Sequence, residues 1–137
     1  MNSNIFESEY LYSVVLPNNW SEYELQDENN TNGFFDTTDW TGNLRITPLS
    51  VRVNNPKDFL KKEIKVETLR EINWENIYGM HYSEESGNFF IYYWYLIEKQ
   101  RIYICSFTIN IENKLSSKNI NELEKIEKIL KTLKSKS

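Results

Sequence analysis

The chain lacks the residues on which most catalytic and metal-binding motifs depend. It contains one histidine, His81, and one cysteine, Cys105, among 137 residues. A histidine general base, a Cys–His nucleophile pair or a multi-histidine metal site would therefore depend on His81. A structural zinc site commonly takes four Cys or His ligands. We expect no metal site, and a single cysteine excludes an internal disulfide.

The chain also has few glycines and no excess of positive charge. The four glycines are isolated, so the chain has no glycine-rich phosphate loop. The net charge of −4 argues against a nucleic-acid partner, which would need clustered Lys and Arg on one face. The lysine-dense run, residues 125–136, alternates with Glu and Leu as on the surface of a helix. We predict neither a cofactor nor a nucleic-acid partner.

Long hydrophobic runs are absent. The longest apolar stretch, residues 89–97, is interleaved with tyrosines and falls far short of the roughly 18 apolar residues of a membrane span. The first residues lack the charged start and apolar run of a secretory signal. We therefore predict a cytoplasmic protein with no membrane partner. The length fits a single domain over residues 1–137, with residues 1–8 as a polar arm and 135–137 as a polar tail.

Aromatic residues, in contrast, are plentiful at 15% of the chain. Residues 89–112 read as two aromatic-rich strands joined by a polar turn at residues 98–101. Folding about that turn places Ile97 opposite Ile102 and determines which side chains share a face. One face is predicted to be core and carries Phe90, Tyr92, Trp94, Leu96, Tyr103, Cys105, Phe107 and Ile109. The other face is half apolar and half polar.

The remaining elements complete an antiparallel sheet. We predict strands near residues 10–16, 33–38, 44–53 and 72–83, and an exposed acidic loop at residues 21–33. A helix should follow Asn55 over residues 56–69. Apolar residues recur every three or four positions from Ile120 to Leu133, which indicates a final helix capped by Asn119. The predicted fold class is α+β, with about six antiparallel strands flanked by two helices.

The second face of the sheet is the main candidate site. A two-residue hairpin loop within residues 85–88 would place Gly79 opposite Trp94. The same pairing brings five adaptable side chains together on the second face: Tyr78, Met80, Tyr82, Tyr93 and Tyr95. Tyrosine and methionine suit a surface that binds a partner protein or an apolar segment. In the alternative interpretation, the helix that begins at Pro56 covers this face and only the tyrosine hydroxyls reach its rim.

Two other groups of residues deserve a hypothesis. His81 with a nearby carboxylate would support a small hydrolase or lyase, provided that a pocket surrounds the imidazole. The acidic residues between Glu22 and Glu28 would suit contact with a basic toxin, because complementary charge speeds encounter. A solvated loop is the simpler interpretation of this second group.

Three segments resemble the PsbP-like superfamily. They are residues 12–20 (YSVVLPNNW), residues 40–47 (WTGNLRIT) and residues 123–130 (LEKIEKIL). The chain is most similar to small bacterial members of uncharacterised function. The resemblance implies an α/β/α sandwich, and it implies binding, since relatives include extrinsic photosystem subunits, a Ran-binding transport factor and chaperones of secretion effectors.

These observations together predict a non-enzymatic, cytoplasmic protein-binding module of a bacterium. It would serve either as a chaperone or adaptor for a secreted effector or as an immunity protein. Its partner would be another protein, such as a toxin or a secretion effector. The alternative hypothesis is the hydrolase or lyase that uses His81.

Overall fold

A computed structural model describes residues 3–23, 25, 30–49 and 53–136. Within these residues the chain forms ten strands, two α-helices and a short 3-10 helix at Ile111–Asn113. The strands are β1 (Ser3–Glu7), β2 (Tyr12–Pro17), β3 (Trp20–Tyr23), β4 (Asn32–Asp36), β5 (Gly42–Pro48), β6 (Arg70–Trp74), β7 (Ile77–Ser86), β8 (Phe89–Glu98), β9 (Arg101–Asn110) and β10 (Lys134–Ser135). The helices are α1 (Pro56–Glu63) and α2 (Ser117–Leu130).

The strands form two antiparallel sheets. The large sheet has seven strands in the order β3-β4-β5-β9-β8-β7-β6, and the small sheet has the order β1-β2-β10. Helix α2 and the small sheet pack on the first face of the large sheet, and α1 packs on its second face. The predicted α+β class is confirmed, although the described residues contain ten strands where about six were expected.

The β8–β9 hairpin forms the centre of the large sheet. Its register agrees with the prediction, since Ile97 pairs with Ile102 and Glu98 with Arg101. The two-residue loop, Lys99 and Gln100, adopts φ angles of 50° and 69°, as the tight turns of antiparallel hairpins require. The predicted core face is buried apart from Tyr92, which is half-buried, and it packs against β2 and α2.

The β7–β8 hairpin differs from the prediction by two residues. Its loop is Gly87–Asn88, so Ser86 pairs with Phe89. Gly79 consequently lies opposite Leu96, and His81 lies opposite Trp94, where Gly79 was predicted. A two-residue shift leaves every side chain on its predicted face, because side chains in a strand alternate with a period of two. The single strand predicted at residues 72–83 is in fact two strands, β6 and β7, separated by a turn.

Most of the predicted polar arm and part of the predicted polar tail form strands. Residues 3–7 of the predicted polar arm form β1, which pairs with β2, and the Phe6 ring meets the Phe34 ring edge-on with centroids 4.9 Å apart. Ser135 of the predicted tail pairs with Tyr12 as part of β10. Hydrogen bonds between backbone groups hold both segments in the small sheet. These bonds form with polar and apolar side chains alike.

Three other boundaries also differ. The predicted acidic loop contains β3, while Glu24, Asp27 and Glu28 lie outside the described residues. Helix α1 ends at Glu63, where Ile64 turns to an extended conformation. Helix α2 begins three residues early, because the side chain of Ser116 accepts a hydrogen bond from the Asn119 amide and acts as the cap.

Candidate functional site

The five predicted site residues lie on the second face of the large sheet, as expected. Tyr78, Met80 and Tyr82 belong to β7, and Tyr93 and Tyr95 belong to β8. The register pairs Met80 with Tyr95 and Tyr82 with Tyr93, so four of the five side chains are direct cross-strand neighbours.

Three of these residues form a continuous aromatic surface, which we call the tyrosine ladder. The Tyr82 ring stacks on Tyr93 at a centroid distance of 4.9 Å and lies 6.2 Å from Tyr95. All three rings are half-buried. Burial raises the pKa of Tyr82 and of Tyr93, with further contributions from Tyr95 and Glu84, respectively. Both hydroxyls therefore stay neutral, and the ladder presents apolar ring area with polar tips.

The other two residues, Met80 and Tyr78, contact helix α1. Met80 is only 4% exposed and packs in a cluster with Leu60, Ile64 and Ile102. Tyr78 donates its hydroxyl hydrogen to Glu71, and burial together with this carboxylate raises the pKa of Tyr78 to about 12. The Nζ atom of Lys57 in α1 lies 4.5 Å from the centre of the Tyr78 ring. Helix α1 thus covers one end of the second face, and the tyrosine ladder continues beyond it.

A groove of about 500 Å³ runs between the end of α1 and strands β8 and β9. We call it the α1 groove. Its lining is mainly apolar and consists of Leu49, Phe59, Leu60, Ile64, Val66, Tyr82, Tyr95, Ile102 and Ile104, with Glu63 and Lys65 as its charged members. Because Tyr82 and Tyr95 belong to both features, the groove and the tyrosine ladder form one surface.

His81 lies on the first face and is held by its neighbours. Its ring stacks on Trp94 at 4.7 Å and 20°, and its Nδ1 atom lies 2.8 Å from the carbonyl oxygen of Tyr93. Burial lowers the pKa of His81, so the imidazole is kept neutral. The hydrogen bond described for the ring goes to a backbone carbonyl rather than to a carboxylate. His81 lines none of the three cavities described for the molecule, so the hydrolase alternative gains no support from this geometry.

Cys105 is completely buried in the core, and burial raises the pKa of its thiol. Among the described residues, no three His, Cys, Asp or Glu side chains are grouped so as to hold a metal ion. In the same part of the chain, no helix is both long and apolar enough to span a bilayer.

A second cavity was not foreseen from the sequence. It has a volume of about 430 Å³ and lies against α2, and we call it the α2 cavity. Two buried carboxyl groups, Asp36 and Glu122, line it. They come from distant parts of the chain, since Asp36 ends β4 and Glu122 lies in α2. No local motif connects such residues, and the apolar periodicity of α2 gave no reason to expect a buried acid there.

The architecture is that of a PsbP-like α+β protein. Over 98% of its length the chain superposes on the solution structure of cyanobacterial PsbP (CyanoP) from Synechocystis sp. PCC 6803, with a TM-score of 0.60, 9% identity and 94% of that chain covered. A crystal structure from Bacteroides thetaiotaomicron VPI-5482 matches the whole chain with a TM-score of 0.74 and 21% identity. The chain spans half the length of that Bacteroides protein. Identities this low show the fold alone.

Residues 3–137 match the family model described as a domain of unknown function (DUF3805), and the chain belongs to this family. A search of curated proteins returned no match.

Proposed function

We propose that this protein is a non-enzymatic binding module of the bacterial cytoplasm that holds an apolar segment of a partner protein on its second sheet face. The observation that carries the proposal is the continuity of the α1 groove with the tyrosine ladder through Tyr82 and Tyr95. Among the two roles predicted above, a chaperone or adaptor for a secreted effector fits this surface better than an immunity protein.

The chemistry of the surface supports this choice. Tyrosine rings supply large, rigid contact areas at a small cost in conformational entropy, and aromatic residues dominate the energetics of many protein interfaces. Phe89, which is 49% exposed at the far end of β8, adds apolar area to the same face. An apolar segment would place its side chains in the groove and its polar backbone near the tyrosine hydroxyls. A basic toxin would instead need concentrated acidic residues.

The test compares variants of the full chain in binding to a partner isolated from the source bacterium and then purified. The double variant Tyr93→Ser/Tyr95→Ser removes two rings of the ladder. We expect its affinity for the partner to fall about thirtyfold, the loss typical of an aromatic hot spot worth about 2 kcal/mol. Isothermal titration with the purified partner measures this loss.

The matched control is Ile120→Ser, which changes a half-exposed apolar residue of α2 on the opposite side of the sheet. Its affinity should stay within twofold of the wild-type value. A competing peptide with the sequence of the bound segment should displace the partner. Equal affinity of the double variant and the control, with both variants folded by circular dichroism, would remove the second face as the binding surface.

A further inference from the structure

One half of strand β7 has a neighbouring strand on one side only. The strand pairs with β8 over nearly its whole length. On its other side, β6 covers only residues 77–81, because β6 begins at Arg70, opposite His81. The chain that precedes Arg70 makes a tight turn instead of continuing along β7. Within the described residues, positions 82–86 therefore have no strand beside them on that side, and we call this segment the β7 edge.

The hairpin that β7 forms with β8 shows which backbone groups of the β7 edge are unpaired. In an antiparallel sheet the N–H and C=O of one residue point to the same side, and successive residues point to opposite sides. The two-residue loop at positions 87–88 makes Ser86 and Phe89 a hydrogen-bonded pair, so even-numbered residues of β7 bond to β8. Ser83 and Glu85 consequently point their N–H and C=O groups outward. No backbone group of another described residue is bonded to these four groups.

The unpaired groups define the backbone of the occupant. The β7 edge is accessible, since residues 84–86 are exposed and Ser83 is half-buried. A row of unpaired amides and carbonyls on an edge strand is a template for pairing with another chain. A helix bonds its own backbone groups internally and cannot supply partners for them. An extended segment that adds to the sheet supplies donors and acceptors at the required spacing.

The charges of the β7 edge argue against a second copy of this chain as the occupant. Antiparallel pairing of two copies about Glu84 or about Glu85 would place that carboxylate directly opposite its equivalent, and like charges in this position are destabilising. In the pairing about Glu84, the loop at residues 87–88 of one copy would also fall where Arg70 of the other pairs with His81. The occupant is therefore a segment of a different protein.

The two faces of the β7 edge specify the side chains of this segment. Tyr82 and Glu84 both point to the second face, where the Tyr82 ring is part of the tyrosine ladder. An apolar residue suits the position opposite Tyr82. A basic residue suits the position opposite Glu84, because opposite charges directly across a strand pair are stabilising. Glu85 points to the first face, and its Oε1 atom already lies 3.8 Å from the Nζ atom of Lys114.

We propose that the β7 edge binds an extended segment of the partner protein as an added antiparallel strand in line with β6. Its backbone bonds to Ser83 and Glu85, an apolar side chain lies against Tyr82, and a basic side chain lies against Glu84. The inference rests on the proposed function, because the added strand is part of the partner segment that the second face holds.

The first experiment follows amide hydrogen exchange in the isotopically labelled full chain by NMR, without a ligand. The amides of Ser83 and Glu85 should exchange rapidly. The amide of Glu84 bonds to β8 and should exchange at least about tenfold more slowly. Equal rates for the three amides would show that the β7 edge is covered and would overturn the proposal. Protection of Ser83 and Glu85 that rises with protein concentration would make a second copy the occupant and would overturn it as well.

The second experiment adds the acetylated and amidated pentapeptide VTKTV as a probe. Its lysine lies opposite Glu84 and its valine opposite Tyr82, while its two threonines lie opposite Ser83 and Glu85. Saturating peptide should slow exchange at Ser83 and Glu85. Methylation of the two threonine amides removes the donors to β7 and should abolish this protection. Methylation of the lysine amide, which points away from β7, is the matched control and should preserve it. Absence of protection at millimolar VTKTV, or equal protection by the two methylated peptides, contradicts the proposal.

A charge exchange tests the side-chain assignment. The wild type should bind VTKTV about fivefold more tightly than VTETV, and Glu84→Lys should reverse this order. Glu75→Lys is the matched control, because it makes the same change at an exposed position in the turn at the other end of β7. It should keep the wild-type order. If Glu84→Lys also kept that order, the basic residue would not lie against Glu84 and the proposal would be wrong.

This inference and the proposed function fail separately. If Tyr93→Ser/Tyr95→Ser binds the purified partner as tightly as the wild type, the second face is not the binding surface, whatever the peptide does. If that variant loses affinity for the partner but VTKTV gives no protection, the segment lies on the tyrosine ladder without pairing with β7. In that case the proposed function stands and only the added strand is overturned.

Discussion

A single buried carboxyl group couples the stability of this protein to pH. Glu122 lies in the first half of α2 with one oxygen bonded to Thr41 and the other unpaired. Burial, and then the negative charge of Asp36, raise its pKa from 4.5 to about 7. The charged residues that line the α2 cavity with it are Asp36 at the end of β4, Asp39 in the β4–β5 connection, and Lys118, Glu124, Lys125 and Lys128 of α2.

We predict that Glu122→Gln makes the stability of the protein less sensitive to a rise in pH from acidic to neutral values. Because the folded-state pKa lies above the unfolded value, the folded chain holds a proton that the unfolded chain has released. Wild-type stability therefore contains a contribution from Glu122 that is lost as pH rises from about 4.5 to about 7. Glutamine does not titrate, so between pH 5 and pH 8 the variant should gain up to about 3 kcal/mol relative to the wild type.

Urea unfolding at both pH values measures this difference. Glu127→Gln serves as the control on the same helix and should follow the wild-type pH dependence. Parallel pH dependences of Glu122→Gln and the wild type would show that Glu122 is ionised in the folded protein at pH 5.

At the scale of elements, the long strands were predictable and the short ones were not. The β8–β9 hairpin has ten residues on each side and a polar turn that admits one register, so its pairing and faces follow from the sequence. In the β7–β8 hairpin, the polar residues Glu84, Glu85 and Ser86 resemble a turn but continue the strand. Their pairing with β8 places the two-residue loop one position later than predicted, which shifts the register by two residues.

The candidate site was predictable for the same reason that the hairpins were. Face assignment survives a shift of two residues, so the five side chains on the second face were correctly grouped although their partners were not. The α1 groove was not predictable, because it depends on where α1 ends and on Leu49, which lies outside the hairpins. The α2 cavity needs contacts between segments far apart in the chain, which no local pattern contains.

Gly79 is the residue through which β7 and β8 approach each other closely. A Cβ atom at this position would lie 2.4 Å from the backbone oxygen of Tyr95 and 2.8 Å from Cδ2 of Leu96. Backbone cannot move aside as a side chain can, so we predict that Gly79→Ala destabilises the protein by about 1–3 kcal/mol.

The control is Ser83→Ala, which places the same residue on the same strand and face four positions further along. It should change stability by less than about 0.5 kcal/mol. Urea unfolding of both variants measures this difference in the free energy of unfolding. Equal stability of Gly79→Ala and Ser83→Ala would mean that the strands separate at no cost, and would contradict the close approach at Gly79.

At the scale of the whole molecule, the two faces of the large sheet are covered to different extents. The first face is closed by α2 and by the small sheet, whose edge strands come from the two ends of the described chain. The second face is covered at one end by the eight residues of α1. Closure of the first face provides the stability that allows the second face to keep aromatic side chains half exposed, which is the arrangement that our proposed function requires.

The last strand, β10, is a main part of that closure. The Ser135 amide donates to Oε1 of Glu98 at 2.7 Å, its hydroxyl lies 2.6 Å from the Tyr103 hydroxyl, and the Lys136 amide donates to the Leu11 carbonyl at 2.9 Å. Glu98 is only 4% exposed and Tyr103 is fully buried. Without β10, both side chains lose a partner that solvent replaces poorly.

We predict that a chain ending at Leu133 folds but is less stable than the full chain. Each buried polar group left without a partner costs about 1–3 kcal/mol, so losing the partners of Glu98 and Tyr103 should lower the free energy of unfolding by about 2–5 kcal/mol. Ser135→Ala keeps the backbone amide and should lose about 1 kcal/mol. Lys134→Ala, which alters an exposed side chain of β10 and keeps its backbone pairing, should leave stability unchanged.

Urea unfolding monitored by tryptophan fluorescence gives the order of stability of the three variants directly. If the truncated chain unfolded at the same urea concentration as Lys134→Ala, β10 would have no part in closing the first face.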